Sequence, residues 1–151
     1  MASILVLFHS QEKGNTRRMA EAVGEGAQAA GADVQLFNTN EGRLDVEVFR
    51  KVDVAAFGSP DYFSYIAGGL KVFLDDWCIA RWADRNGLEG KPHGLFYSHG
   101  GGGKVREPLE KLFAAVGQQV GETVESSGQP DDEVLAACRK LGGELAQAAQ
   151  K

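Results

Sequence analysis

Hydroxyl, amide and glycine residues follow the first apolar run of the chain, and they are residue types that can hold a phosphate. Residues 4–8 predict a buried strand, a polar loop follows, and a helical pattern begins at Thr16. A helix N-terminus offers unpaired N–H groups and a favourable dipole, and the Ser10 and Thr16 hydroxyls add donors. We therefore predict a phosphorylated ligand here. A purely structural capping role for these two hydroxyls stays open.

Two later loops carry residues suited to a flat aromatic ligand. Tyr62, Phe63 and Tyr65 follow the third predicted strand and offer a surface for stacking. The glycine run 100–103 follows the fourth, where no side chain keeps a ligand away from backbone amides. The alternative for the three aromatic residues is that they only anchor their loop in a small core.

Alternating strand-like and helix-like segments predict the elements that position these loops. The predicted strands cover residues 4–8, 34–37, 52–58, 92–98 and, weakly, 120–124, with Ser59 and Pro60 ending the third. Helical patterns begin near residues 16, 67, 105 and 131, and a short one covers 45–51.

This alternation predicts an α/β fold, a three-layer, doubly wound, five-stranded parallel sheet. In such sheets a ligand binds beyond the carboxyl ends of the strands, where the strand order reverses. If the order is 2-1-3-4-5, this point lies between the first and third strands. The loops 10–16, 59–66 and 98–104 would then meet in one crevice.

Length and charge limit the function classes. The 151 residues suit a single domain, 1–151, and the net charge of -5 argues against a nucleic-acid binder. No segment is long enough to span a bilayer, so no membrane association is expected. Cys78 and Cys138 form neither a disulfide framework nor a metal site, which favours the reducing cytoplasm. We find no catalytic triad or metal cluster.

Together the three loops resemble the flavin-contacting loops of the flavodoxin-like family, and the similarity runs along essentially the whole chain. The resemblance implies the five-stranded flavodoxin fold with noncovalently bound FMN. By position, it implies a phosphate surrounded by Ser10, Gln11, Lys13, Gly14, Asn15 and Thr16. It places one edge and face of the isoalloxazine along Ser59, Pro60, Asp61, Tyr62, Phe63 and Ser64. The pyrimidine end is approached by Ser98, His99, Gly100, Gly101 and Gly102.

Two details depart from many flavodoxins. The spacing Ser-Gln-Glu-Lys-Gly-Asn-Thr looks more like the Ser-Pro-Arg-Lys-Gly-Asn-Thr of NADPH-dependent FMN reductases and iron–sulfur flavoproteins. Ser64 stands where relatives often carry glycine beside the flavin. This serine argues against a backbone flip toward flavin N5, because only glycine adopts positive φ freely.

The leading hypothesis is an FMN-binding redox protein that carries electrons between partner proteins. The alternative is an NAD(P)H-dependent reductase of quinones, flavins or similar small acceptors, so the question of enzyme or carrier stays open. The longer phosphate loop favours the enzyme, and so do five cations around the crevice: Lys13, Arg17, Arg18, Lys104 and Arg106.

The remaining aromatic residues and histidines receive individual predictions. Trp77 and Tyr97 are expected in the core, whereas Ile79 and Trp82 fall off the inner helical stripe and leave a homodimer open. His99 is the preferred donor to the flavin edge, and His93 is expected at the surface.

Overall fold

Five parallel strands form the centre of the molecule in the computed structural model, which describes residues 1–150. The strands are β1 (Ser3–Phe8), β2 (Asp33–Asn38), β3 (Val54–Pro60), β4 (His93–His99) and β5 (Val124–Ser127). The helices are α1 (Asn15–Ala29), α2 (Val46–Lys51), α3 (Gly68–Ala83), α4 (Arg106–Phe113) and α5 (Asp132–Ala149). The strand order is β2-β1-β3-β4-β5, which confirms the predicted fold class.

Two hydrophobic cores cover the two faces of the sheet. Alternate side chains of β1 enter opposite cores, Leu5 and Leu7 on one face, Ile4 and Val6 on the other. The first core includes residues of α2, α3 and α4, and the second is formed with α1 and α5. Trp77 and Tyr97 lie in the first core, as predicted. Burial on both faces explains why the central strands have continuous apolar runs.

Helices α1 and α5 pack so closely that two glycines are required between them. A Cβ atom on Gly142 would lie 2.0 Å from the carbonyl oxygen of Val23. Across the same contact, a Cβ on Gly26 would lie 1.9 Å from the carbonyl oxygen of Arg139. Both distances are far below a van der Waals contact, so the two helices can approach this closely only because glycine has no side chain.

Three sequence-based predictions about the strands are wrong. Ser59 and Pro60 belong to β3, since the pairing continues beyond the proline through the Asp61 N–H, 2.9 Å from the Ser98 carbonyl oxygen. The fifth strand begins at Val124, where the weak pattern over 120–124 ends. His93 is buried because β4 is an inner strand, covered on both faces.

Lys91 is a buried cation at the opposite edge of the sheet from the three loops. Its Nζ atom donates to the carbonyl oxygens of Phe49, Arg50 and Val52, where α2 ends. The ammonium also lies 4.4 Å from the centre of the Phe49 ring. Burial lowers the pKa of Lys91 to about 8.

This lowered pKa predicts that stability rises with pH above about 8. Between the folded and unfolded pKa values the unfolded chain binds the extra proton, so raising the pH favours the folded state. The slope is at most about 1.4 kcal/mol per pH unit, and it ends near the ordinary lysine pKa. Urea unfolding from pH 8 upward measures it, and Lys91→Met is the control that should lack this contribution. Equal slopes in both proteins would contradict the prediction.

Among the described residues, no helix combines the length and apolarity needed to span a membrane.

Candidate functional site

The three predicted loops meet in one crevice at the carboxyl ends of β1, β3 and β4. The crevice encloses about 220 Å³. Of the residues predicted for the site, those at positions 10, 11, 13–16, 60–62 and 98–100 line it, and Glu12 and Gly128 line it too. The predicted convergence of the loops is therefore confirmed.

The start of α1 forms the end of the crevice that is predicted to hold the phosphate. Gly14 precedes the helix with φ +74°, a left-handed conformation that favours glycine. No side chain caps α1, and its first turn contains no acidic residue. The first N–H groups of the helix are therefore available to an anion, and no carboxylate repels it.

Two buried hydroxyls from different loops join at this end. Thr16 Oγ1 lies 2.8 Å from Ser98 Oγ, and both side chains are almost fully buried. Only one of the two hydroxyl hydrogens is used in this contact, so the other is free to bond a ligand oxygen. The pair also ties the first loop to the third.

Asn38, which no sequence pattern singled out, holds the start of the loop 10–16 in place. Its Oδ1 accepts from the Ser10 N–H at 2.9 Å, and its Nδ2 donates to the Ser10 carbonyl oxygen at 2.8 Å. Next to it, His9 bridges Gln11 Oε1 (2.6 Å) and Thr39 Oγ1 (2.8 Å). The one available signal was a polar residue ending the strand that neighbours the phosphate loop.

The aromatic loop is a tight hairpin turn over residues 62–65. Tyr62 and Tyr65 exchange two backbone hydrogen bonds of 3.2 and 3.1 Å, and the two residues between them have φ values of 61° and 62°. This is the geometry of a type I′ turn, which glycine or asparagine usually occupies. Here Phe63 and Ser64 adopt it. Positive φ at Ser64 therefore already occurs without glycine.

Only the first aromatic residue of this turn lines the crevice. The Tyr62 ring packs edge-on against His9, with the ring centroids 5.8 Å apart. Burial raises the pKa of Tyr62, and the negative charge of nearby Glu12 raises it further. Phe63 is fully exposed at the tip of the turn, which argues against a buried loop anchor. Neither Phe63 nor Ser64 borders the crevice.

Relief of strain in this turn gives a prediction. Replacing Ser64 with glycine should stabilise the protein by about 1 kcal/mol, because a left-handed conformation costs other residues roughly that much. Greater flexibility of the unfolded glycine chain reduces the gain. Urea unfolding tests this change, with Ser64→Ala as a control that keeps the strain. A glycine variant less stable than the alanine variant would contradict the left-handed geometry.

Four further predicted residues lie away from the crevice or use their side chains elsewhere. The Ser59 hydroxyl is buried, accepts from the Ala67 N–H at 3.1 Å and donates to the Pro60 carbonyl oxygen at 2.7 Å. Gly101 and Gly102 lie outside the crevice lining. Asp61 does line the crevice, and its carboxylate accepts from the Val105 N–H at 3.3 Å, at the start of α4.

His99 marks the other end of the crevice. Its Nε2 lies 2.9 Å from Glu125 Oε2, and its ring stacks on Tyr97 with centroids 6.0 Å apart. Its Nδ1 is buried and has no hydrogen-bond partner within residues 1–150. A buried polar atom without a partner is unfavourable, so this atom suits contact with a polar ligand.

Two of the five cations expected around the crevice are neutralised by neighbours. Arg17 pairs with Glu41 and Arg106 pairs with Glu110, each at 3.4 Å. Arg18 turns back to Asn15 Oδ1 at 3.1 Å. The rim is therefore less basic than the sequence suggested.

Comparison with known proteins decides the family. The sequence model described as "NADPH-dependent FMN reductase" matches residues 2–129. This chain belongs to that family. The family membership confirms the predicted flavodoxin-like class, FMN as the flavin, and a redox function.

The relatives of this FMN reductase family member include proteins named for each of the two candidate functions. An NAD(P)H dehydrogenase (quinone) of Archaeoglobus fulgidus is 29% identical, with 100% of this chain and 99% of that protein aligned. A flavodoxin of Aquifex aeolicus is 30% identical, with 97% and 86% aligned. A solved archaeal flavodoxin superposes with a TM-score of 0.83 at 24% identity, over 99% of both chains, which supports the fold.

Proposed function

We propose that this protein is an electron carrier that binds FMN in the crevice and exchanges electrons with partner proteins. The observation that supports this choice most strongly is the small, open crevice of about 220 Å³. Pockets that bury most of a small molecule usually enclose about 300–1,000 Å³. A flavin held here would leave part of its ring at the surface, where the redox centre of a partner can approach it.

The lining residues suit the parts of FMN. The uncapped start of α1 and the hydroxyls of Ser10 and Thr16 would hold the phosphate. Tyr62 would stack on the ring, and the backbone at Gly100 would approach its polar edge. Bound FMN supplies the capacity to accept and release electrons, while the protein orients it and tunes its potential.

The reductase alternative rests on a second groove beside the hairpin turn. It encloses about 840 Å³ and is lined by Ser64 and by the cations Lys104, Arg106 and Lys111. Such a groove could hold the phosphates of a nicotinamide nucleotide. Glu107 and Glu110 line it as well, and the second of these already pairs with Arg106. The carrier is therefore the better supported proposal.

Anaerobic reduction of the FMN-loaded protein distinguishes the two functions. A carrier should keep its yellow absorbance with NADPH alone and lose it when a catalytic amount of a separate NADPH-oxidising reductase is added. Rapid bleaching by NADPH alone would favour the enzyme. Lys104→Gln is the matched variant, since it should raise the KM for NADPH only if the groove binds the nucleotide. Failure to bind FMN would exclude both functions.

Three further predictions remain proposals. We propose a single domain over 1–151, a cytoplasmic location, and a homodimer through the outer face of α3. Ile79 and Trp82 are 61% and 73% exposed on that helix, and such apolar exposure is typical of contact surfaces. Light scattering of the wild type and of Ile79→Asp tests the dimer, which the charge should dissociate.

A further inference from the structure

Glu125, a residue of β5 that no sequence pattern singled out, contacts His99 at the end of the crevice that is predicted to hold the pyrimidine ring. The 2.9 Å contact joins Glu125 Oε2 to His99 Nε2. Glu125 is about half exposed, whereas the His99 side chain is nine-tenths buried and borders the crevice. The carboxylate therefore reaches inward from the sheet edge to a residue that faces the ligand site.

Three neighbouring residues fix the orientation of the His99 ring. Tyr97 stacks beneath it, and Glu125 bonds its Nε2 edge. Gly103, at φ +63°, packs against the same edge, where an added Cβ would lie 2.8 Å from Glu125 Oε2 and 3.3 Å from His99 Nε2. These contacts leave the ring little freedom to flip.

The contact with a carboxylate also decides where the ring carries its proton. An ionised carboxylate only accepts hydrogen bonds, so Nε2 must carry the hydrogen and donate it. In the neutral ring Nδ1 then presents a lone pair, and no donor reaches it within residues 1–150.

We propose that Glu125 is a positioning residue that fixes this tautomer, so that His99 Nδ1 accepts a hydrogen bond from the flavin's imide N–H. The oxidised isoalloxazine has a single N–H group, in its pyrimidine ring, and its other polar ring atoms are acceptors. A lone pair on Nδ1 can therefore pair only with the imide. This acceptor role differs from the donor role predicted for His99 from the sequence, and it rests on the proposed FMN binding.

The tautomer can be read without any flavin. Nitrogen-15 NMR of the imidazole should show that Nε2 of His99 carries the hydrogen and that Nδ1 does not in the wild type. Glu125→Ala should shift the ring toward a mixture of tautomers. Glu122→Ala, a neighbouring exposed carboxylate with no contact to His99, should leave the spectrum unchanged. A doubly protonated ring, or the same tautomer after loss of Glu125, would overturn the proposal.

Flavin affinity tests the hydrogen bond itself. FMN methylated at the imide nitrogen should bind the wild type about tenfold more weakly than FMN, the effect of one lost hydrogen bond. His99→Ala should bind the two flavins equally. Glu125→Ala should weaken FMN binding by a similar factor and reduce the difference in affinity between FMN and its methylated form.

A rescue experiment separates positioning from a general structural role. Asparagine at position 99 offers an amide oxygen near the place of Nδ1 and needs no fixed tautomer. In the His99→Asn background, Glu125→Ala should therefore leave FMN affinity unchanged. An equal loss in both backgrounds, or equal binding of both flavins by the wild type, would overturn the proposal while FMN binding stands. A wild type that binds neither flavin would instead reject the proposed function.

Discussion

Replacing Asn15 with aspartate should weaken FMN binding by about 100-fold while leaving the apoprotein at least as stable. Asn15 is the first residue of α1 and lines the crevice where the phosphate is proposed to bind. Two like charges about 5 Å apart repel by about 3 kcal/mol at an effective dielectric constant of 20. Without a ligand, the same carboxylate interacts favourably with the helix dipole and can still accept from Arg18.

The opposite signs of these two effects make the measurement specific. Fluorescence titration gives the FMN affinity, and urea unfolding gives the stability of the apoprotein. Riboflavin, which lacks the phosphate, should bind wild type and variant equally, and Asn15→Ser should behave like the wild type with both ligands. A variant that lost riboflavin and FMN affinity to the same extent would show that the phosphate does not bind at this helix.

Replacing Gly142 with alanine should destabilise the protein by about 3 kcal/mol, the upper part of the usual range for overpacking. The added methyl group would lie 2.0 Å from the Val23 carbonyl oxygen and 2.7 Å from the Ala27 nitrogen. Both are backbone atoms, which cannot rotate away as a flexible side chain can. The two helices would have to separate and lose apolar contact along α1 and α5.

The next residue of the chain provides the control. Gly143 has open space where its Cβ would be, so Gly143→Ala should stabilise α5 by up to about 1 kcal/mol through helix propensity. Gly26→Ala should resemble Gly142→Ala, since its methyl group would meet the Arg139 backbone. Urea midpoints of the three variants decide the matter, and equal stability at 142 and 143 would contradict the close packing.

The alternation of apolar runs and helical stripes predicted the parallel α/β sheet, and the resemblance of the three loops to the flavodoxin-like family implied its strand order. The position of the fifth strand was not predictable. Its sequence Val-Glu-Ser-Ser is short and polar, and an outer strand needs no continuous apolar run. His93 carried no sign of burial, because a lone histidine at the start of a strand does not reveal what later packs over it.

In the site, sequence motifs predicted the loops but not the residues that support them. Asn38 and Glu125 come from other parts of the chain, and each is a single polar residue without a pattern around it. Only the fold brings them to Ser10 and His99. Tyr62 lines the crevice and Phe63 does not, a difference that the sequence did not reveal, because the direction of each side chain depends on the turn type.

The two outermost strands also bear on aggregation. β5 spans four residues and carries the exposed carboxylate of Glu125, while β2 begins with the exposed carboxylate of Asp33. Short or charged edge strands are poor templates for pairing with a strand of another molecule. The apolar sequence of β1 is of the kind that aggregates when exposed, and here it is shielded between β2 and β3. Fibril growth through this strand would therefore require the chain to open first.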